Sequence, residues 1–182
     1  MKKVYAFIAN GSEETECLTV VDVLRRGGID VTLVSVEDSP AVVSSHNVTI
    51  TADTTFAQCD FSDADALFIP GGMPGTKRLG AHAGLCRELT NAAQSGKHVA
   101  AICAAPSVLG KLGLLKGKRA TCFPSFEDAL EGATHTSAGV VTDGNITTSR
   151  GLGFALDLGL ELLALLTTKE NAQQIKSAIQ YD

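Results

Sequence analysis

The sequence predicts a doubly wound α/β domain, a mostly parallel sheet sandwiched by helices. Three observations carry that expectation. Short apolar runs of strand length recur along the chain, a glycine- or proline-bearing loop cuts each of the best of them, and a segment with helical spacing of apolar residues follows, in units of roughly 30 residues. Parallel strands need crossovers of that size, and right-handed crossovers place helices on both faces of the sheet.

Val4 to Ala9 is an apolar run that Asn10-Gly11-Ser12 breaks, and Glu13-Glu14-Thr15-Glu16 then opens a helix through Leu18, Val21 and Leu24. Gly27-Gly28 stops it, and Ile29 to Val36, rich in β-branched residues, reads as a second strand. Val42, Val43, Val48 and Ile50 flank Ser44-Ser45-His46-Asn47, so Ala41 to Thr51 reads as a short hairpin. Ala66 to Ile69 is a buried-strand run closed by Pro70-Gly71-Gly72, and Cys86 to Ser95 is helical before Gly96. Val99 to Cys103 is again strand-like, and Pro106 suits the first turn of a following helix, where its missing N–H is no loss. Arg119 to Cys122 reads as a strand, Val140 to Thr148 as a hairpin around Asp143-Gly144, Phe154 to Leu166 as a strongly apolar helix, and Lys169 to Ile179 as a last helix.

The 182 residues suit a single domain over positions 1–182, because a chain of that length buries about two thirds of its unfolded surface. With 45% hydrophobic and 19% charged residues it is too apolar for disorder. Fifteen Lys plus Arg against 20 Asp plus Glu give a net charge of −5, which offers no electrostatic reason to expect nucleic acid or an anionic membrane as partner. Cysteines at 17, 59, 86, 103 and 122 form neither a disulfide framework nor a CxxC motif, and Met1-Lys2-Lys3-Val4 runs into a strand without a signal-peptide apolar core. A cytoplasmic protein with reduced thiols is the expectation.

In doubly wound sheets the ligand site lies beyond the carboxyl ends of the strands, which selects the loops after Ala9, Ile69 and Ile102. Cys103 stands on the third of these, before a helix start. Two readings fit it: a buried small hydrophobe, or a thiolate whose pKa is lowered by helix N–H groups and which therefore acts as a nucleophile. Glu13, Glu14 and Glu16 similarly either complement the positive end of their helix or supply a carboxyl to the sulfur. Two adjacent anions are costly, so the second case keeps a proton on the carboxyl and donates it to the thiolate. Gly71-Gly72 is either a plain turn or a close approach of backbone to substrate, with the N–H groups of Gly72 and Ala104 forming an oxyanion hole.

His46, His82, His98 and His135 are isolated and make no metal spacing with a cysteine, so no metal is expected. Neither a P-loop nor Gly-x-Gly-x-x-Gly follows the first strand, and Gly11-Ser12-Glu13-Glu14 would repel a flavin phosphate. No cofactor is expected.

Five blocks in order and spacing make the sequence similar to the DJ-1/PfpI (ThiJ) superfamily, in its DJ-1-like branch. They are Gly11-Ser12-Glu13-Glu14-Thr15-Glu16, Asp22-Val23-Leu24-Arg25-Arg26-Gly27-Gly28-Ile29, Phe68-Ile69-Pro70-Gly71-Gly72, Ala100-Ala101-Ile102-Cys103-Ala104-Ala105-Pro106 and Thr148-Ser149-Arg150-Gly151. The resemblance implies a flavodoxin-like sandwich, usually a homodimer, with Cys103 as the oxidation-sensitive cysteine and Glu16 as the protonated glutamate bonded to it. It also implies backbone amides of Gly72 and Ala104 around an oxyanion, and a pocket drawing on Gly71, Arg26, His46 and Ser149. Arg26 matches a position that reaches the partner's site, and His46 stands where DJ-1 itself has an arginine.

Two departures narrow the function. Ala104 follows Cys103 where the protease-type relatives have a histidine, so a protease is not expected, and Phe123 in Thr121-Cys122-Phe123-Pro124 takes the place of a histidine found near the cysteine in DJ-1. The resemblance then implies a cofactor-free glyoxalase or deglycase, in which Cys103 attacks a 2-oxoaldehyde such as methylglyoxal, or its protein adduct. A rival of a different class is a redox sensor or stress chaperone switched by oxidation of Cys103, without turnover. No residue supports the thiamine link that the name ThiJ suggests.

Overall fold

The computed structural model describes residues 1–181. Its elements in chain order are β1 (Lys3–Ile8), α1 (Glu14–Arg26), β2 (Asp30–Ser35), β3 (Ala41–Val43), β4 (Thr49–Thr51), β5 (Thr54–Thr55), β6 (Ala66–Ile69), α2 (Gly75–Ala81), α3 (Ala83–Gln94), β7 (His98–Ile102), α4 (Pro106–Lys111), β8 (Arg119–Ala120), β9 (Thr134–His135), β10 (Val140–Asp143), β11 (Ile146–Ser149), α5 (Ala155–Leu166) and α6 (Lys169–Ala178).

Seven strands form one sheet in the order β10-β11-β7-β6-β1-β2-β5, parallel throughout except for the β10–β11 pair. This is the flavodoxin-like α/β sandwich that the sequence predicts. Alternation along β1 shows why its apolar run is unbroken, since successive side chains point to opposite faces and both faces are covered. Val4, Ala6 and Ile8 join Val20 and Leu24 of α1 with Leu158 and Leu163 of α5 in one core. Tyr5, Phe7 and Ala9 join Leu85 and Leu89 of α3 with Val108 and Leu109 of α4 in the other. Cys17 is buried in the first core and Cys122 in the second, so both are packing residues.

The two expected hairpins form: β3 pairs antiparallel with β4 across the turn carrying His46, and β10 with β11 across Gly144-Asn145. Other expectations are corrected. Arg119 to Cys122 shrinks to the two-residue β8, which pairs with β9 and not with the main sheet. The helix expected from Cys86 begins at Ala83, because the His82 imidazole caps it by accepting the Leu85 N–H at 3.0 Å. A helix absent from the sequence reading, α2, precedes it.

From β1 the chain moves to β2 on one side and returns through β6 on the other, so the order reverses between β1 and β6. The loops leaving β1, β6 and β7 converge there, as the rule for open α/β sheets requires. No described helix is long and apolar enough to cross a membrane.

Candidate active site

Cys103 is the first residue beyond β7, and its φ of +64° lies in the left-handed region, which costs a non-glycine residue about 1–3 kcal/mol. Two hydrogen bonds to distant segments hold it there. Its N–H donates to the Ser149 carbonyl at 2.9 Å, and its carbonyl accepts the Phe123 N–H at 2.8 Å. Such a strand-to-helix turn presents the side chain at the carboxyl end of the sheet, and Cys103 is partly exposed.

Glu16 comes from the first turn of α1. Glu13 caps that helix, its carboxylate accepting the Glu16 N–H at 2.5 Å. The Glu13 N–H donates to the Gly71 carbonyl at 3.0 Å, and the Gly71 N–H donates back to Glu16 Oε2 at 3.0 Å. Both backbone groups of Gly71 are thus tied to one helical turn. A Cβ at Gly71 would lie 2.6 Å from Cys103 Cβ and 2.6 Å from Glu16 Oε2, so no larger residue fits without displacing the pair. Gly72 has φ +84°, the left-handed region that glycine enters without cost.

The Glu16 carboxyl and the N–H groups of Gly72 and Ala104 lie close enough to the Cys103 sulfur to influence its titration, and the Leu152 N–H likewise lies near Glu16. Burial pushes the Glu16 carboxyl up to about 7, with the negative charge of Glu13 adding to the shift and Cys103, Gly71 and Leu152 opposing it. The lowered thiol pKa expected from the sequence is not found. Burial, and then the charge of Glu16, push the Cys103 thiol up to about 12, outweighing the Gly72 and Ala104 amides. Two buried anions cannot coexist, so a thiolate at this site requires Glu16 to carry the proton.

The remaining expected residues are spread more widely. His46, two-thirds exposed on the β3–β4 turn, lies 3.1 Å from Glu14 and 3.8 Å from Glu13. Glu13, Glu14 and His46 are the group among the described residues whose ligand atoms come within 4.8 Å of one another, yet Glu13 is committed to its cap and the positive helix end disfavours a cation. Arg26 ends α1, paired with Asp22 at 2.6 Å and about 15 Å along the helix from Glu16, so it does not approach its own chain's thiol. The Ser149 hydroxyl is buried and donates to the Gly139 carbonyl at 3.1 Å; Ser149 acts on the site through its carbonyl. Phe123 flanks Cys103, and none of the four histidines hydrogen-bonds Cys103 or Glu16 among the described residues. Cys103 is partly exposed, so a reactant has access to it from solvent. The Ser149 carbonyl and the Leu152 N–H escaped sequence reasoning because any residue type supplies them.

Residues 2–165 match the profile of the DJ-1/PfpI family. The chain belongs to this family. It is 38% identical to DJ-1 homolog B of Arabidopsis thaliana over 98% of its own length, although it spans only 41% of that protein. It is 32% identical to a protein of Pyrococcus horikoshii named a deglycase, over 81% of this chain and 89% of that one. Among solved structures, oxidized DJ-1 of Toxoplasma gondii superposes with a TM-score of 0.96 at 36% identity, covering 100% of this chain and 99% of that one. In this DJ-1/PfpI chain Cys103, Glu16 and the amides of Gly72 and Ala104 lie together, and no histidine hydrogen-bonds Cys103 among the described residues.

Proposed function

We propose that the chain is a cofactor-free glyoxalase or deglycase acting on methylglyoxal-type 2-oxoaldehydes or their protein adducts. The observation that carries this reading is one sulfur beside both a carboxyl able to hold a proton near neutrality and two backbone amides. In the proposed sequence, Cys103 sulfur adds to the aldehyde carbon and Glu16 protonates the resulting alkoxide, giving a hemithioacetal. The Glu16 carboxylate then removes the proton on that carbon and returns one to the neighbouring carbonyl carbon, converting the hemithioacetal to a thioester of lactate. Water cleaves the thioester, restoring the thiol, so that methylglyoxal plus water becomes lactate without net redox change. Proton transfer of this kind contributes roughly 10²- to 10⁴-fold, and with Phe123 in place of an imidazole Glu16 serves alone. The deglycase name of the Pyrococcus relative supports the substrate class.

A lactate assay with methylglyoxal tests the reading. Wild type is expected to produce lactate and Cys103→Ser none above background; equal rates sink it.

A second reading has its own support in the oxidized state of the Toxoplasma relative: Cys103 is a redox switch, oxidised to sulfinate and retained by the proton of Glu16. Peroxide titration followed by peptide mass is expected to oxidise Cys103 ahead of the partly exposed Cys59 and Cys86. Both readings include a homodimer, with Arg26 directed to the partner's site.

A further inference from the structure

A cavity of about 410 Å³ opens between α2, α4 and the turn around Phe126, on the side of the molecule whose core lies against α3 and α4. Its size falls within the range of small-molecule sites, and its composition is that of an amphipathic ligand's binding place. Met73, Val108, Leu112 and Phe126 give it apolar walls, and the exposed Lys77 and Lys111 also belong to its lining. Neither lysine is in an ion pair among the described residues, and no carboxylate lines the cavity. Two uncompensated cations over an apolar floor repel one another and attract an anion.

Of the two hydroxyl residues in the lining, Thr76 has its oxygen fully shielded and without a hydrogen-bond partner, and Ser107 donates to the Ala104 carbonyl at 2.6 Å, so the two lysines are the charged groups left to meet a ligand.

We infer that this cavity binds a medium-chain carboxylate, with the aliphatic chain against Val108, Leu112 and Phe126 and the head group drawn to Lys77 and Lys111. The site is separate from Cys103, which is absent from its lining, and is independent of what Cys103 does.

Calorimetric titration of the full chain with octanoate tests the inference, with acetate as head group alone, octan-1-ol as chain alone and octylammonium as reversed charge. Octanoate is expected to bind saturably and at least tenfold more tightly than any of the three. The double variant Lys77→Gln/Lys111→Gln is expected to weaken octanoate about tenfold. Cys103→Ser is expected to bind like wild type. The inference is overturned if octanoate gives no saturable heat, if the double lysine variant binds it as wild type does, or if Cys103→Ser abolishes binding, which would place the ligand at the thiol.

Discussion

The Gly71 N–H and the Glu16 carboxylate are joined at 3.0 Å, and the position a Gly71 side chain would occupy is already filled by Glu16 Oε2 and Cys103 Cβ, each 2.6 Å away. One glycine therefore sets the spacing between acid and thiol.

Gly71→Ala forces the new methyl into that pair. Overpacking of this kind costs about 1–3 kcal/mol, so the denaturation midpoint should fall, and the rate of Cys103 alkylation by iodoacetamide should change with it. An alanine variant with wild-type stability and alkylation would show that the spacing is not set there.

Glu16 makes stability depend on pH in a defined direction. Its native pKa of about 7 exceeds the ordinary 4.5, so between those values the folded protein holds a proton that the unfolded chain has lost. Stability then falls as pH rises through this window, by about 3 kcal/mol in all, and is unaffected by this group below 4.5. Glu16→Gln removes the dependence. Chemical denaturation of both proteins from pH 4 to 8 should show the wild type losing ground against the variant, and parallel curves would contradict the burial assigned to Glu16.

Glu16→Gln also separates nucleophile from proton carrier. The variant lacks the negative charge that raises the thiol, so alkylation at pH 8 should quicken by roughly tenfold, since one pKa unit is tenfold in thiolate. Lactate formation, which requires the proton, should fall by roughly 10²-fold or more. Loss of both together would mean that Glu16 serves only the fold.

Phe123→His places an imidazole beside the Cys103 backbone, where the Phe123 N–H already bonds the Cys103 carbonyl at 2.8 Å. Phe123 is half exposed, so the change should cost little stability. Lactate production should rise at least tenfold above pH 7, where the imidazole is neutral and acts as base.

The architecture was legible because β1, β6 and β7 are buried on both faces and so read as unbroken apolar runs bounded by loop residues. Helix α2 was not, since among its residues Leu79 is the one large buried apolar side chain and Gly75 and Gly80 dilute any helical pattern. Arg119 to Cys122 misled because β-branched and apolar composition reports a strand but not which sheet it joins. Cys103 could be singled out by its place at a strand end, whereas Glu16 stood beside Glu13 and Glu14 as an equal candidate until the family resemblance distinguished it. The direction of the thiol's shift could not be read, because it follows from burial and from an acid many residues away, quantities that exist only once the loops have met.

The left-handed turn at Cys103 is fastened at both ends by partners far along the chain, Ser149 and Phe123. Reactivity here is consequently a property of the finished architecture. A peptide copied from this loop, or a fragment ending before β11, would carry the same cysteine without the acid and amides that govern its protonation, and transplanting the short motif into another scaffold would transfer the letters without the chemistry.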